Sequence, residues 1–169
     1  MAHPPIANLI CHWKMNDDAA STVVVDNRGA HNATWTRNTS LDSVTGKINE
    51  ALSPNALNKA YVADNNDFSF TDGSSDKPFS FAKWVYFDTW RIGDRLINKA
   101  AEYEIAVDNN YLFFITRDAT GGGGFSRRAP VAYFPTGEWL HIVCTYDGGG
   151  IASGRKIYVN SVQRDNDIW

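Results

Sequence analysis

Short apolar runs separated by turn residues make up most of the chain, and no segment keeps the 3.6-residue apolar spacing of a helix beyond a turn or two. The runs predict strands at 9–14 (LICHWK), 22–26 (TVVVD), 79–87 (FSFAKWVYF), 95–99 (RLINK), 102–107 (EYEIAV), 111–117 (YLFFITR), 139–146 (WLHIVCTY) and 155–160 (RKIYVN). Weaker signals lie at 59–63 and 130–134. Asp108, Asn109 and Asn110 tolerate left-handed backbone, so the runs on either side of them predict a hairpin. Asp147 and the glycines at 148–150 predict another turn. In 79–87 both alternating sets are apolar, with Phe79, Phe81 and Val85 against Ala82, Trp84 and Tyr86, which predicts a central strand covered on both faces. Lys83 interrupts the Phe-bearing face, and its amine is expected to snorkel to solvent, with a carboxylate partner as the alternative. Many short strands without intervening helices predict an all-β fold, an antiparallel β-sandwich or jelly roll.

Composition narrows the partners. At 169 residues, 43% of them hydrophobic and 21% charged, the chain can bury one self-sufficient core. Lys and Arg number 16 against 19 Asp and Glu, a balance that argues against nucleic acid as a partner. Arg127 and Arg128 read as a solvated loop. No run approaches the apolar length of a membrane span, and residues 1–13 lack the basic and apolar regions of a signal peptide. That leaves open an exported chain whose leader was removed, a module of a longer protein, or a cytoplasmic protein. Cys11 and Cys144 fit neither a disulfide scaffold nor a zinc pattern, and read as two buried thiols, with a single bridge still open if the protein is exported.

Four segments carry a family pattern: CHWKMNDDAASTVVVDNRG at 11–29, TGKINEAL at 45–52, DFSFTDGSSDKPFSFAKWVYFD at 67–88 and GEWLHIVCTYDGGGIASGRKIYVNS at 137–161. In order and spacing they resemble the laminin G-like, concanavalin A-like lectin/glucanase jelly rolls, which are relatives of the pentraxins. The resemblance implies one β-sandwich domain over 1–169, used for binding, in an extracellular or surface protein. Two departures stand out. Ser161 follows Asn160 where the family usually has Gly, and the chain stops at Trp169 where the family adds further strands. An absent closing strand would leave the edge beside LICHWK open, so self-association through that edge is expected, burying Ile10 with help from Ile168 and Trp169.

Catalytic motifs are sparse. The fold's endoglucanases need two carboxyls about 5 Å apart on one strand face, and the nearest approach is Glu102 and Glu104, with no third acidic residue. The sequence has no Gly-x-Ser-x-Gly elbow and no His-Glu-x-x-His pair, and the four histidines share no ligand spacing. Gly121–Gly124 lacks the Lys that a phosphate loop needs, and reads as a flexible loop with Phe125 as a contact. Asp72 and Asp76, within FTDGSSD, are the candidate calcium ligands, a cofactor the resemblance implies. For a sugar, whose apolar faces stack on aromatic rings, the candidate contacts are Trp90, Tyr111, Phe125 and Trp35. Trp84 and Trp139 are expected in the core. The leading reading is a non-catalytic recognition module for carbohydrate or another surface ligand. A structural or assembly module binding protein comes second, and a glycoside hydrolase third.

Overall fold

The computed structural model describes residues 8–54, 57–72, 74–117, 124–165 and 167–168, the last two as backbone. The chain divides into two compact units, 1–68 and 69–169. Among the described residues no helix is long and apolar enough to cross a membrane.

In the first unit, β1 (Val23–Val24), β2 (Ala33–Trp35) and β5 (Ala60–Tyr61) form one antiparallel sheet in the order β1-β2-β5. β3 (Ser43–Thr45) and β4 (Glu50–Leu52) form a separate hairpin. Val24, Ala33, Trp35 and Leu52 make a small buried cluster.

Strands this short leave many backbone groups to be satisfied by side chains, and the buried carboxylate of Asp26 does so. Asp26 Oδ1 accepts the amides of His12 (2.7 Å) and Arg28 (2.9 Å), and Oδ2 accepts those of His31 (3.0 Å) and Ala30 (3.3 Å). Burial pushes this carboxyl up, but the four amides outweigh it and hold Asp26 below the usual carboxylate range. The His12 amide is thereby drawn into a loop, and LICHWK forms no strand, only one bridge from Trp13 to Asp26. Leu9 and Ile10 are exposed, so the expected open strand edge at 9–14 does not exist in this form.

Asp42 is the second hub. It accepts hydrogen bonds from Trp35 Nε1 (2.7 Å), Asn58 Nδ2 (2.9 Å) and Arg37 Nε (2.9 Å), with a further contact from the Arg37 guanidinium.

In the second unit, β6 (Phe79–Tyr86), β7 (Arg95–Lys99), β8 (Tyr103–Asp108), β9 (Tyr111–Arg117), β10 (Gly124–Pro130), β11 (Trp139–Tyr146), β12 (Arg155–Val159), β13 (Val162–Gln163) and β14 (Asp167–Ile168) build two antiparallel sheets. One runs β14-β10-β9-β8-β7, the other β13-β12-β11-β6. Their inner faces share a core that includes Val85, Ile105, Leu112, Phe114, Leu140, Ile142, Cys144 and Ile157. This is the expected all-β sandwich.

The β8–β9 hairpin turns at Asn109 and Asn110, both with positive φ (45° and 65°). The β12–β13 turn forms despite the missing glycine, with Asn160 and Ser161 both left-handed (φ 48° and 70°). The weak signal at 130–134 is a 3-10 turn, Val131–Tyr133.

β6 is not covered on both sides: Ala82, Trp84 and Tyr86 are exposed. It pairs only with β11, so it ends its sheet among the described residues.

Arg155 is buried at the start of β12. Its Nε donates to Thr116 Oγ1 (2.7 Å), its Nη1 to Ile151 O (2.6 Å), and its guanidinium lies 4.4 Å from the Tyr146 ring. Asp165 ties the segment after β13 back to the sheets, accepting the Ile157 amide (2.8 Å) and Arg127 Nη2 (2.8 Å).

The Asp42 hub makes the first unit acid-sensitive. Hydrogen bonds and charge from Arg37 lower its carboxyl from 3.8 to about 2. The resulting stabilisation is complete above the unfolded value and disappears as pH falls through about 2. Asp42→Asn should lower stability near neutral pH by about 1–3 kcal/mol and flatten the acid limb of unfolding followed by tryptophan fluorescence. An unchanged acid limb would remove Asp42 from that role.

Candidate functional site

Strand alternation decides what the outer face of the five-stranded sheet offers. On β9, Leu112, Phe114 and Thr116 point into the core, which leaves Tyr111, Phe113, Ile115 and Arg117 on the other face. Cross-strand register then sets Arg95, Ala106, Phe113 and Arg128 in one row, and Glu104, Ile115 and Ser126 in the next. These residues, with Ile92, Gly93, Asp108 and Asn109, line a groove of about 420 Å³. Its floor is apolar, and Arg95 and Arg128 stand at opposite ends of the row that crosses it.

Glu104 sits in this groove between two cations. Its Oε2 accepts from Arg95 Nε at 3.1 Å and its Oε1 from Arg117 Nη2 at 2.9 Å. Burial pushes the carboxyl up, but the hydrogen bonds and charges of Arg117 and Arg95 outweigh it and hold Glu104 below the usual range. It is ionised at neutral pH and has no proton to give.

Glu102 lies in the turn before β8, not on the strand, and its Oε1 accepts from Lys99 Nζ (2.7 Å) and Ser69 Oγ (3.0 Å). The two glutamates expected to share a strand face therefore serve different partners.

The expected aromatic contacts do not converge. Trp35 is 2% exposed in the core of the first unit, with its indole N–H on Asp42, and has no surface to offer a ligand. Trp90 stacks on Phe87 with ring centroids 3.9 Å apart and donates to Phe134 O at 2.9 Å, as a packing residue would. Phe125 is exposed beside the Arg155 guanidinium, 5.3 Å from its ring; Gly121–Gly123 next to it lie outside the described residues. Tyr111 does not line the groove and is linked to it only through Arg128, whose guanidinium lies 4.3 Å from its ring.

Asp72 Oδ1 accepts the amides of Ser74 and Ser75, both at 2.9 Å, which hold the carboxyl below its usual range. Asp76 Oδ2 accepts the Tyr146 hydroxyl at 2.5 Å. Each carboxylate thus serves a separate structural partner, and among the described residues no group of three or more His, Cys, Asp or Glu is placed to hold a metal ion. Calcium takes six or more oxygens, and with Asp72 and Asp76 each engaged by a separate partner, these two carboxylates do not by themselves make a site.

Both cysteines are free, with burial and then the Asp26 charge pushing the Cys11 thiol up to about 12, and burial raising that of Cys144.

A second surface was misassigned by the sequence pattern. On the outer face of the four-stranded sheet Trp84 lies opposite His141, with centroids 5.0 Å apart, and Tyr86 opposite Trp139, 5.6 Å apart. Trp84 and Tyr86 are 41% and 43% exposed, so the expected core placement of Trp84 is wrong. Strict alternation on β11 holds the signal: Leu140, Ile142, Cys144 and Tyr146 are its buried set, and the set with His141 and Thr145 is the outer one. Arg128, read as a solvated loop residue, is instead a wall of the groove, while Arg127 pairs with Asp165.

No curated protein and no solved structure matches the chain. A laminin G-type family model described as the concanavalin A-like lectin/glucanases superfamily matches residues 55–167, a span that takes in β6 to β13 of both sheets. By that match and by its two packed antiparallel sheets, the chain belongs to the concanavalin A-like lectin/glucanases superfamily.

Proposed function

We propose that the chain is a non-catalytic recognition module that holds a carbohydrate in the groove of the five-stranded sheet. The observation that carries this reading is the groove's construction, with an apolar floor of Ala106, Phe113 and Ile115, charged walls, and a carboxylate already neutralised by two arginines. A sugar ring offers an apolar face to such a floor and hydroxyls to Arg95, Arg128, Asp108 and Asn109. Glycoside hydrolysis needs a protonated carboxyl beside a second, free one, and Glu104 is ionised with both oxygens engaged. The superfamily includes lectins, and a cell-surface or extracellular setting suits a module of this kind.

The second reading, an assembly module that binds protein, is favoured by exposed Trp84 and Tyr86, each paired with a half-buried ring, His141 and Trp139, because aromatic residues are typical anchors of protein interfaces.

A glycan array separates the two. Arg95→Ala should weaken binding of the best glycan roughly 10- to 100-fold through loss of a charged hydrogen bond, whereas Trp84→Ala with Tyr86→Ala should leave it unchanged. The reverse pattern would favour the aromatic face, and turnover of a β-glucan that vanishes in Glu104→Gln would refute the non-catalytic reading.

Calcium addition should leave the melting temperature unchanged. An increase that is lost in Asp72→Asn would restore a calcium site to that loop, since a ligand that binds the folded state must stabilise it.

A further inference from the structure

In the unit 69–169, each sheet ends in two strands with a single neighbour among the described residues: β13 and β6 in one, β14 and β7 in the other. A terminal strand is a template for pairing with another chain, and proteins blunt such edges by making them short, by a bulge, or by a charge turned inward. β13 and β14 are two residues each. β7 slips register between Arg95 and Ile97, so Leu96 is its extra, bulged residue.

β6 has neither protection. It runs for eight residues in unbroken register with β11. Between its ends it carries no proline and one charge, Lys83. Lys83 stands opposite Ile142, which is 3% exposed in the core, and on the same side of β6 as Phe81 and Val85. The lysine therefore leaves β6 on its inner face, yet it stays exposed at the edge of the sheet. Its Nζ reaches Leu96 O at 3.4 Å, the carbonyl of the bulged residue on β7. Lys83 is solvent-exposed, as the snorkelling expectation has it, and its amine also reaches a backbone carbonyl on the other terminal strand.

We infer that Lys83, resting on the Leu96 bulge, is a clasp that closes the open side of the sandwich against strand addition by a second copy of the chain. A copy added to β6 would cover the side from which water reaches this ammonium, and it would bring its own Lys83 to the same seam. Burying an ammonium without a carboxylate partner is costly. The bulge contributes twice, by breaking the regularity of β7 and by turning out the carbonyl on which the amine rests. The inference is independent of what the groove binds.

The test compares the wild-type chain with Lys83→Met, which keeps the stem and removes the charge, with Lys83→Ile, and with Lys83→Arg. Sedimentation velocity across the micromolar range is read together with amide hydrogen exchange of residues 79–86. Wild type and Lys83→Arg should show β6 exchange that does not depend on concentration. Lys83→Met and Lys83→Ile should shift from monomer toward dimer mass, with β6 amides gaining protection as concentration rises. If one apolar variant fails to fold, the other carries the comparison; if both lose the sandwich, Lys83 is a folding residue and the clasp is refuted. Folded apolar variants that sediment and exchange like wild type would refute it as well, as would concentration-dependent protection of β6 in the wild type.

Discussion

The eight-residue antiparallel pairing of β6 with β11 is the constraint on which the sandwich depends. Once Trp139 lies opposite Tyr86 and Tyr146 opposite Phe79, alternation leaves no freedom about faces. Leu140, Ile142, Cys144 and Tyr146 enter the core with Val85, and Trp84, Tyr86, Trp139 and His141 are sent outward together. A slip of one residue would put His141 and Trp139 into the core and Leu140 and Ile142 into water. The same register puts Lys83 on the side of β6 that carries Phe81 and Val85. On the opposite sheet, the β8–β9–β10 register does equivalent work, because it sets Arg95 and Arg128 at the two ends of an apolar row.

Where strands are short, buried polar groups take over. Asp26 gathers four amides from residues up to 14 positions away, and Asp42 collects Trp35, Arg37 and Asn58. In the second unit Arg155 holds the Ile151 carbonyl and Thr116, and Asp165 ties the segment after β13 to the Ile157 amide of β12. Removing one partner leaves a desolvated charge, so each hub specifies a local conformation more strictly than apolar contacts can.

The legible part of the chain was whatever alternation or turn chemistry marks. RLINK, YLFFITR and WLHIVCTY are strands within a residue of their expected bounds, and the Asp-Asn-Asn turn closes the expected hairpin. LICHWK has strand-like composition, but a carboxylate distant in sequence captures its backbone, and composition carries no record of that. β10, GFSRRAP, went unread because its inward positions include an arginine held by Asp165 where an apolar residue would be expected. Trp84 and Tyr86 looked like core because both faces of β6 are apolar, and only pairing with β11 shows which face is wet. The groove was the least legible feature. Arg95, Phe113 and Arg128 lie on three strands, and nothing short of the register brings them together.

The central claim is that the recognition surface is this groove on the five-stranded sheet and not the aromatic face of the other sheet. Amide chemical-shift mapping with an oligosaccharide recovered from the glycan array tests it directly. The account predicts perturbations that cluster at Ala106, Phe113, Ile115 and Ser126 while β6 and β11 stay silent. Perturbations centred on Trp84, Tyr86, Trp139 and His141, with the groove unmoved, would contradict it.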